Sequence, residues 1–575
     1  MGLLTSALQI GRSAILSYQS ALQVVGNNIS NAGSPDYTRQ TPGLTPINSA
    51  RLPEGMRPGA GVALTSVKRN LDEALENRLR TAMGTDQLLQ ARRTATGAVE
   101  TLFDPLIGAQ LPRRLADFFN SLSDVQNSPA DPATRDLAVA AGATLAGTLR
   151  QLRHDLGSLA ESINDQIGAL VTQANDLSSQ IADMNTEIVS VEASGSPASA
   201  LRDQRDALLR QLSEIIGVTV RVQPDGALNV YVGNEAMVQG GISRGLTVVS
   251  TFDGEFRRDA VAFADNNARI TNHSGQLQGL IAARDDAALG QITDLDRLAT
   301  SIIFEVNKVH SDGQGLTGFR AITATRSVLD TASALDSAEA GLDFTPINGS
   351  FYIAVTDDAT GTTTSFQVQV DLDGIDDDTT LESLVADINA TVKGVTADIS
   401  PDNRLVLTAA EGTGFTFGHD GSSQRTDTSH ILAALGINTF FDGSSAADIT
   451  VNSDLVQDPT LLAAAGVNLS GDGVNAGRLT VLGESQIEML NGISIMQFHN
   501  TMAGAVATAA KTANDDVESS ATVVAALQAQ KENISGVSLD EEAIELIKFE
   551  RAFQGAARFV AVVDRLIAEM ISIVR

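Results

Sequence analysis

Gly241-Ile-Ser-Arg-Gly245 has the Gly-x-Ser-x-Gly spacing that lifts a serine hydroxyl from a strand-to-helix elbow to act as a nucleophile. The residues that follow, Leu-Thr-Val-Val-Ser-Thr-Phe, read as a strand, so Ser243 is expected in a hairpin turn. The six histidines, His154, His273, His310, His419, His430 and His499, form neither a HExxH pattern nor a close pair that would hold zinc. A surface or capping role suits each better. The run Asp371-Leu-Asp-Gly-Ile-Asp-Asp-Asp378 is dense in oxygen ligands, but its glycine comes fourth instead of at the sixth place that a calcium loop requires. A solvated loop leading to a helix cap is expected there. Gly412-Thr-Gly-Phe-Thr-Phe-Gly418 is one residue too long for a dinucleotide fingerprint and opens no helix. No catalytic, cofactor-binding or metal-ligating residue is therefore assigned, and the chain reads as a non-enzyme with no cofactor.

The elements that carry these residues belong to a chain of 575 residues, enough for three to four domains. It is 43% apolar but only 4% aromatic, so its cores must be built from Ala, Leu, Ile and Val. A net charge of -31 argues against nucleic acid or an anionic membrane surface as partner. Between Ser327 and Gly477 three basic residues face 23 acidic ones, which places about two-thirds of that charge in one stretch. Cysteine is absent, so no disulfide holds the fold. The N-terminal residues lack the pattern of a secretory leader, and no 18-residue apolar run suggests a membrane span. Export would need another route.

The strongest helical patterning lies at the two ends. Leu4, Leu8, Gly11, Ile15, Tyr18, Leu22, Val25 and Ile29 recur at spacings of four and three, a coiled-coil seam in which only Gly11 is not bulky. Gly33 and then Pro35 follow, where a left-handed cap and a helix stop are expected. Leu546, Phe549, Phe553, Ala556, Val560, Val563, Ile567, Met570 and Val574 repeat the same rhythm at the other end. Each stripe could pack on its own globular domain. Their position favours pairing of one terminus with the other, because burying each large apolar side chain is worth about 1.5–3 kcal/mol and domain ends are usually weakly patterned.

The run Val24 to Gln40, VVGNNISNAGSPDYTRQ, resembles the N-terminal signature of the flagellar rod, hook and hook-associated proteins, with Asn27, Asn28, Asn31, Pro35, Tyr37, Arg39 and Gln40 in the motif positions. Asp36 departs from the glycine more usual there, but tolerates the same turn. The run Ser535 to Val574 resembles the matching end, and its Ser-Gly-Val before Leu-Asp-Glu-Glu points to the hook-associated class at the hook–filament junction. The resemblance implies type III export and extracellular assembly at the junction. The implied partners are neighbouring copies of the chain, hook protein, a second junction protein (hook-associated protein 3) and an export chaperone on the C-terminal region. Tyr37, Arg39 and Gln40 are candidates to set the angle of the first helix or to touch a neighbour. A hook or distal-rod protein, or a secreted hydrolase with flagellar export ends, are the alternatives.

Between the ends, helical periodicity runs from Thr85 to about Ile216, broken at Asn127 to Thr134. VTVRVQPDGALNVYV then reads as a hairpin around Pro-Asp-Gly, and helix returns from Gln276 to His310. SFYIAVTD and SFQVQVDL read as strands before the helical LESLVADINATV, a passage that resembles a β/α module of flagellin-type outer domains. Helix reappears from about Ser485 to Gln530. The expected fold is multidomain, mainly α at the termini with an α+β or β-rich middle. Its expected domains are a terminal coiled coil (1–40 with 535–575), a helical rod (41–215 with 480–534), a mixed α/β domain (216–326) and an acidic β-rich outer domain (327–479).

Overall fold

The computed structural model describes residues 2–48, 59–104, 110–271, 274–375, 377–420, 423–467 and 471–574. In chain order come α1 (Gly2–Ser30), β1 (Gln40–Asn48), β2 (Gly59–Arg69), α2 (Glu73–Phe103), α3 (Leu111–Asn127), α4 (Pro132–Ala193) and α5 (Ser199–Ile215). The strands β3 (Thr219–Val222), β4 (Leu228–Val232), β5 (Glu235–Gln239), β6 (Ile242–Ser243), β7 (Leu246–Asp253) and β8 (Phe256–Phe263) follow. Next are α6 (Gln276–Ala282), a π-helical turn Ala283–Leu289, and α7 (Gly290–Ser311). The acidic stretch holds β9 (Ala321–Thr323), β10 (Gly349–Asp357), β11 (Thr363–Val370), α8 (Leu381–Thr391), β12 (Val395–Ile399), β13 (Leu405–Ala409), β14 (Thr413–Phe417), α9 (Ile431–Leu435), β15 (Phe441–Asp442), β16 (Thr450–Val451) and α10 (Ser453–Gln457). The chain ends in α11 (Val474–Val481), α12 (Ile495–Ser535) and α13 (Leu539–Val574). The architecture is multidomain and mainly helical, with helices at both ends and small sheets in the middle.

Two compact units form. One gathers residues 1–94, 162–283 and 512–575; the other gathers 95–161 and 284–511. In the first, α1 and α13 pack together and the β1–β2 hairpin lies on α1, where Ser17 Oγ donates to Val62 O at 2.9 Å. This hairpin corrects the reading of 41–215 as a helical segment. Pro42, Gly43 and Pro46 interrupt the β1 pattern, which is what hid it.

Helix α4 is long because Pro132 opens it and no other proline or unfavourable run interrupts its 62 residues. Its buried stripe, Ile163, Ile167, Val171, Ala174, Ile181 and Ile188, keeps helical spacing in the first unit. Three asparagines between those residues bind strand backbone. Asn164 donates to Arg257 O (2.8 Å), Asn175 to Leu246 O (2.9 Å) and Asn185 to Leu228 O (2.8 Å). They satisfy peptide groups that the short sheet β3-β4-β5-β6 and the β7–β8 ribbon would otherwise bury unpaired. The expected hairpin is β3–β4, with Val222 opposite Leu228.

In the second unit the sheets β11-β10-β14 and β12-β13-β9 enclose a core with α8 and α9, in which Phe351, Ile353, Leu384, Leu407, Phe415 and Phe417 are buried. The strands and helix expected from SFYIAVTD to LESLVADINATV are β10, β11 and α8, and Thr380 and Ser383 cap α8 reciprocally. His310 corrects the expectation of surface or capping histidines. It is fully buried at the end of α7, where Ala463 N–H donates to Nε2 (3.0 Å), so Nδ1 carries the proton and donates to Asn438 O (2.7 Å). His419 and His499 are also buried, His154 is exposed, His430 precedes α9 in a left-handed conformation, and His273 lies outside the described residues.

Candidate assembly interface

Helices α1 and α13 run antiparallel: Asn28 meets Glu542, Tyr18 lies 6.5 Å ring to ring from Phe549, and Gly11 meets Val560. The inner contact consists of Ala21, Val25 and Phe549, flanked by Tyr18, Leu22, Ile29, Leu44 and Leu546. Leu4, Leu8 and Ile15 are half-buried, as are Phe553, Ala556, Val560 and Ile567. Val563 is buried, Met570 is 40% exposed, and the side chain of Val574 lies outside the described residues. Gly11 has a steric reason to be small, since a Cβ there would come within 2.4 Å of Val560 Cγ2.

Alongside the seam, and sharing Met570 with its far end, α13 leaves Phe559, Val562, Leu566 and Met570 between 40% and 56% exposed. Their spacings of three, four and four form a second apolar line along the same helix.

The N-terminal motif converges on Asn28, which is 1% exposed. Its Oδ1 accepts from Gln40 N (3.0 Å) and Tyr37 Oη (2.8 Å), while Nδ2 donates to Gln40 O (2.9 Å) and Glu542 Oε2 (2.9 Å). An amide can do this because it offers two donors beside a two-lone-pair acceptor. Arg39 Nε completes the Glu542 carboxylate at 2.7 Å, and its Nη1 reaches Glu541 at 2.7 Å. Glu541 is exposed and contributes little, whereas the Glu542 side chain is 2% exposed and depends on its partners. Backbone bonds extend the clasp: Arg39 N to Ser535 O (2.9 Å) and Asn70 N to Arg39 O (2.9 Å), while Ser535 Oγ donates to Asn70 O (2.7 Å).

Burial first, and then the charges of Asp203 and Glu542, push the Tyr37 phenol up to about 12. Thr38 N donates to Asp203 (3.4 Å), and Arg69 bridges Asp203 (2.7 Å) and Asp206 (2.5 Å). Asp36, in place of the usual glycine, pairs with Arg210. The remaining motif residues are peripheral: Asn31 Nδ2 donates to Asn27 O and Oδ1 (both 2.9 Å), and Pro35 is exposed. Gly33 does not adopt the expected left-handed cap. Asn31 N–H bonds Asn27 O and Asn28 O, and Ser34 N–H bonds Asn31 O, so the helix end closes without a positive φ. Glu541, Glu542 and Ser535 were not singled out as site residues; their only signal was the Ser-Gly-Val and Leu-Asp-Glu-Glu run.

Among the described residues, those weighed for catalysis do not come together. Ser243 lies in β6 with its Oγ 2.8 Å from Ser178 Oγ, and no histidine contacts it among the described residues. Asp371, Asp373 and Asp378 approach one another on the surface, and Asp378 and Asp373 accept from Gly374 N and Ile375 N of their own loop. Asp376 of that run lies outside the described residues.

Residues 96–322 match the family model "Flagellar hook-associated protein FlgK helical domain", and 358–411 match "Flagellin hook IN motif", which spans the passage from β11 to β13. The chain is 27% identical to flagellar hook-associated protein 1 of Escherichia coli (strain K12), over 99% of this chain and 100% of that protein. It is 30% identical to the protein of the same name in Salmonella typhimurium over 55% of this chain and 58% of that one. The Bacillus subtilis (strain 168) protein of that name is 24% identical over 54% and 68%. The flagellar hook junction protein FlgK from Burkholderia pseudomallei is structurally similar with a TM-score of 0.49 at 18% identity, covering 80% of this chain and 100% of that one. With both terminal signatures clasped together and the helical region between them matched, the chain is similar to flagellar hook-associated protein 1 along nearly its whole length.

Proposed function

We propose that the chain is a structural subunit of the bacterial flagellum that forms the hook–filament junction and permits filament assembly. The observation that carries this reading is the second apolar line of α13, Phe559, Val562, Leu566 and Met570. One face of α13 is spent on α1, and apart from the edge of Phe559 beside Gly11 the second line stays 40% to 56% exposed among the described residues, so burial between subunits is the favourable outcome. Heterologous contacts of this kind continue a helical lattice instead of closing a small ring. The names of the relatives support the flagellar location, and no helix among the described residues is long and apolar enough to cross a membrane.

The subunit's neighbours are other copies of itself, hook protein on one side and the second junction protein, hook-associated protein 3, on the other. An export chaperone covers the C-terminal region before secretion through the type III channel. The chain has no catalytic role in this reading. Deleting the gene and restoring it in an immunogold-detectable form tests it. Hooks without filaments, shed flagellin and label at the hook tip are expected; normal filaments in the deletion strain would sink the reading.

A further inference from the structure

A cavity of about 370 Å³ in the first unit is lined by Arg69, Arg80, Arg202, Arg205 and Arg221, an unusual gathering of cations in a chain of net charge -31. Of the carboxylates beside them, one is bound by an arginine, and Glu76 has cations near it but no hydrogen bond to either buried oxygen among the described residues. Asp206 is held by Arg69 at 2.5 Å, and Glu76 lies 3.5 Å from Arg210 and 3.6 Å from Lys531. Glu73 lines the mouth, exposed and without an ion pair among the described residues.

Two of the guanidinium groups are buried without a carboxylate. Arg205 is 2% exposed; its Nη1 donates to Asn185 Oδ1 and Gly226 O (both 2.9 Å), and its Nε has no partner among the described residues. Arg80 is 8% exposed and donates to Asn77 Oδ1 at 2.5 Å, again with no carboxylate in ion-pair range among the described residues. Burial holds both guanidinium groups below the ordinary arginine range. The carboxylates of Asp206, Glu76 and Glu73 act on Arg80, and those of Asp206 and Glu192 on Arg205, without direct pairing; a desolvated cation with no carboxylate bound to it is costly, and a planar guanidinium fork matches an oxyanion. Arg221, exposed on β3 over the Tyr231 ring at 5.2 Å, stands at the edge of the same cavity.

We infer that this cavity is an oxyanion-binding site in which Arg80, Arg205 and Arg221 receive a carboxylate of an acidic peptide segment or a free phosphate-sized anion. The shared chemistry is a small oxyanion in an arginine cradle, and nothing in it depends on the junction role.

The test is calorimetric titration of the full chain at low ionic strength with tetraglutamate peptide and, separately, with inorganic phosphate, against chloride of equal ionic strength. Saturable one-site binding of either probe is expected, weakened roughly tenfold or more in R80Q and in R221Q. R221Q changes an exposed residue, so its folding is not at issue. E73Q removes the carboxylate at the mouth and strengthens binding, a gain that misfolding does not produce. Peptide binding without phosphate binding assigns the site to an acidic segment of polypeptide; phosphate binding alone assigns it to a free anion. Absence of saturable binding by both probes, or equal binding in all variants, overturns the inference.

Discussion

Glu542 on α13 and Asn28 on α1 are 514 positions apart in sequence and 2.9 Å apart in space. Each occupies what the other needs. The carboxylate would be a buried charge without Asn28 and Arg39, and the amide would lose a donor's partner without Glu542. The two terminal signatures are halves of one polar clasp, set at the end of an apolar seam.

Replacing Glu542 with Gln puts an amide NH2 group against Asn28 Nδ2 or Arg39 Nε, donor facing donor. Loss of about 1–3 kcal/mol from the first unit is expected, read from urea unfolding. A double-mutant cycle with Asn28→Ala should return a coupling of about 0.5–3 kcal/mol. Strictly additive effects would mean that the bond contributes nothing.

At Gly11 the expected outcome follows from shape. Gly11→Ala places a methyl group 2.4 Å from Val560 Cγ2 and forces the helices apart, while Val560→Ala in the same chain restores the space. Faster amide exchange in α1 and α13 of the single variant, with partial recovery in the double variant, is the measurement. Unchanged exchange in the single variant contradicts the close approach.

Val562→Glu and Leu566→Glu lie on the uncovered line of α13, so the isolated chain should keep its thermal stability within about 0.5 kcal/mol. Filament formation in cells should fail. A stable variant that still supports filaments would show that this line has no role between subunits.

Among the buried groups that make the second unit acid-sensitive are two of opposite sense. Burial chiefly lowers His310 from 6.5 to about 4, aided by the charge of Arg135, so its stabilising contribution is present above 6.5 and lost as pH falls toward 4. Burial chiefly raises Asp312 from 3.8 to about 6, against the Asp427 N–H bond and Arg478 and with a smaller contribution from the Asp427 charge, so its contribution is complete below 3.8 and lost as pH rises through 6. The two oppose each other between about 4 and 6. Asp312→Asn removes the compensating proton uptake, and its stability should fall more steeply on acidification than that of the parent, by up to about 1.4 kcal/mol per pH unit. Parallel urea midpoints across that range would count against it.

The terminal helices were legible because apolar residues at three-four spacing have one economical explanation, and Val25 and Phe549 do meet in the core. Gly11 stood out in the stripe, though only packing against Val560 gives its reason. The β1–β2 hairpin was not legible, since its first strand alternates poorly around Pro42, Gly43 and Pro46. Nor was His310: a lone histidine at a helix end carries no sign of the Asn438 and Ala463 groups that bury it. The Asn28–Glu542 contact was hidden for a different reason. Both residues were within the motif runs, but sequence distance says nothing about which polar groups face each other.

The chain has no tryptophan and four tyrosines, Tyr18, Tyr37, Tyr231 and Tyr352. Tyr18 lies on the terminal pair, and Tyr37, just past α1, is bound to Asn28 with its ionisation pushed to about 12. Detachment of α13 would remove the Glu542 charge from that phenol and lower its ionisation from about 12 toward 10, a change in near-ultraviolet absorbance in alkali to be read against a Tyr37→Phe control. The protein thus carries an intrinsic optical gauge of its own docking, readable in intact cells' secreted material without a label.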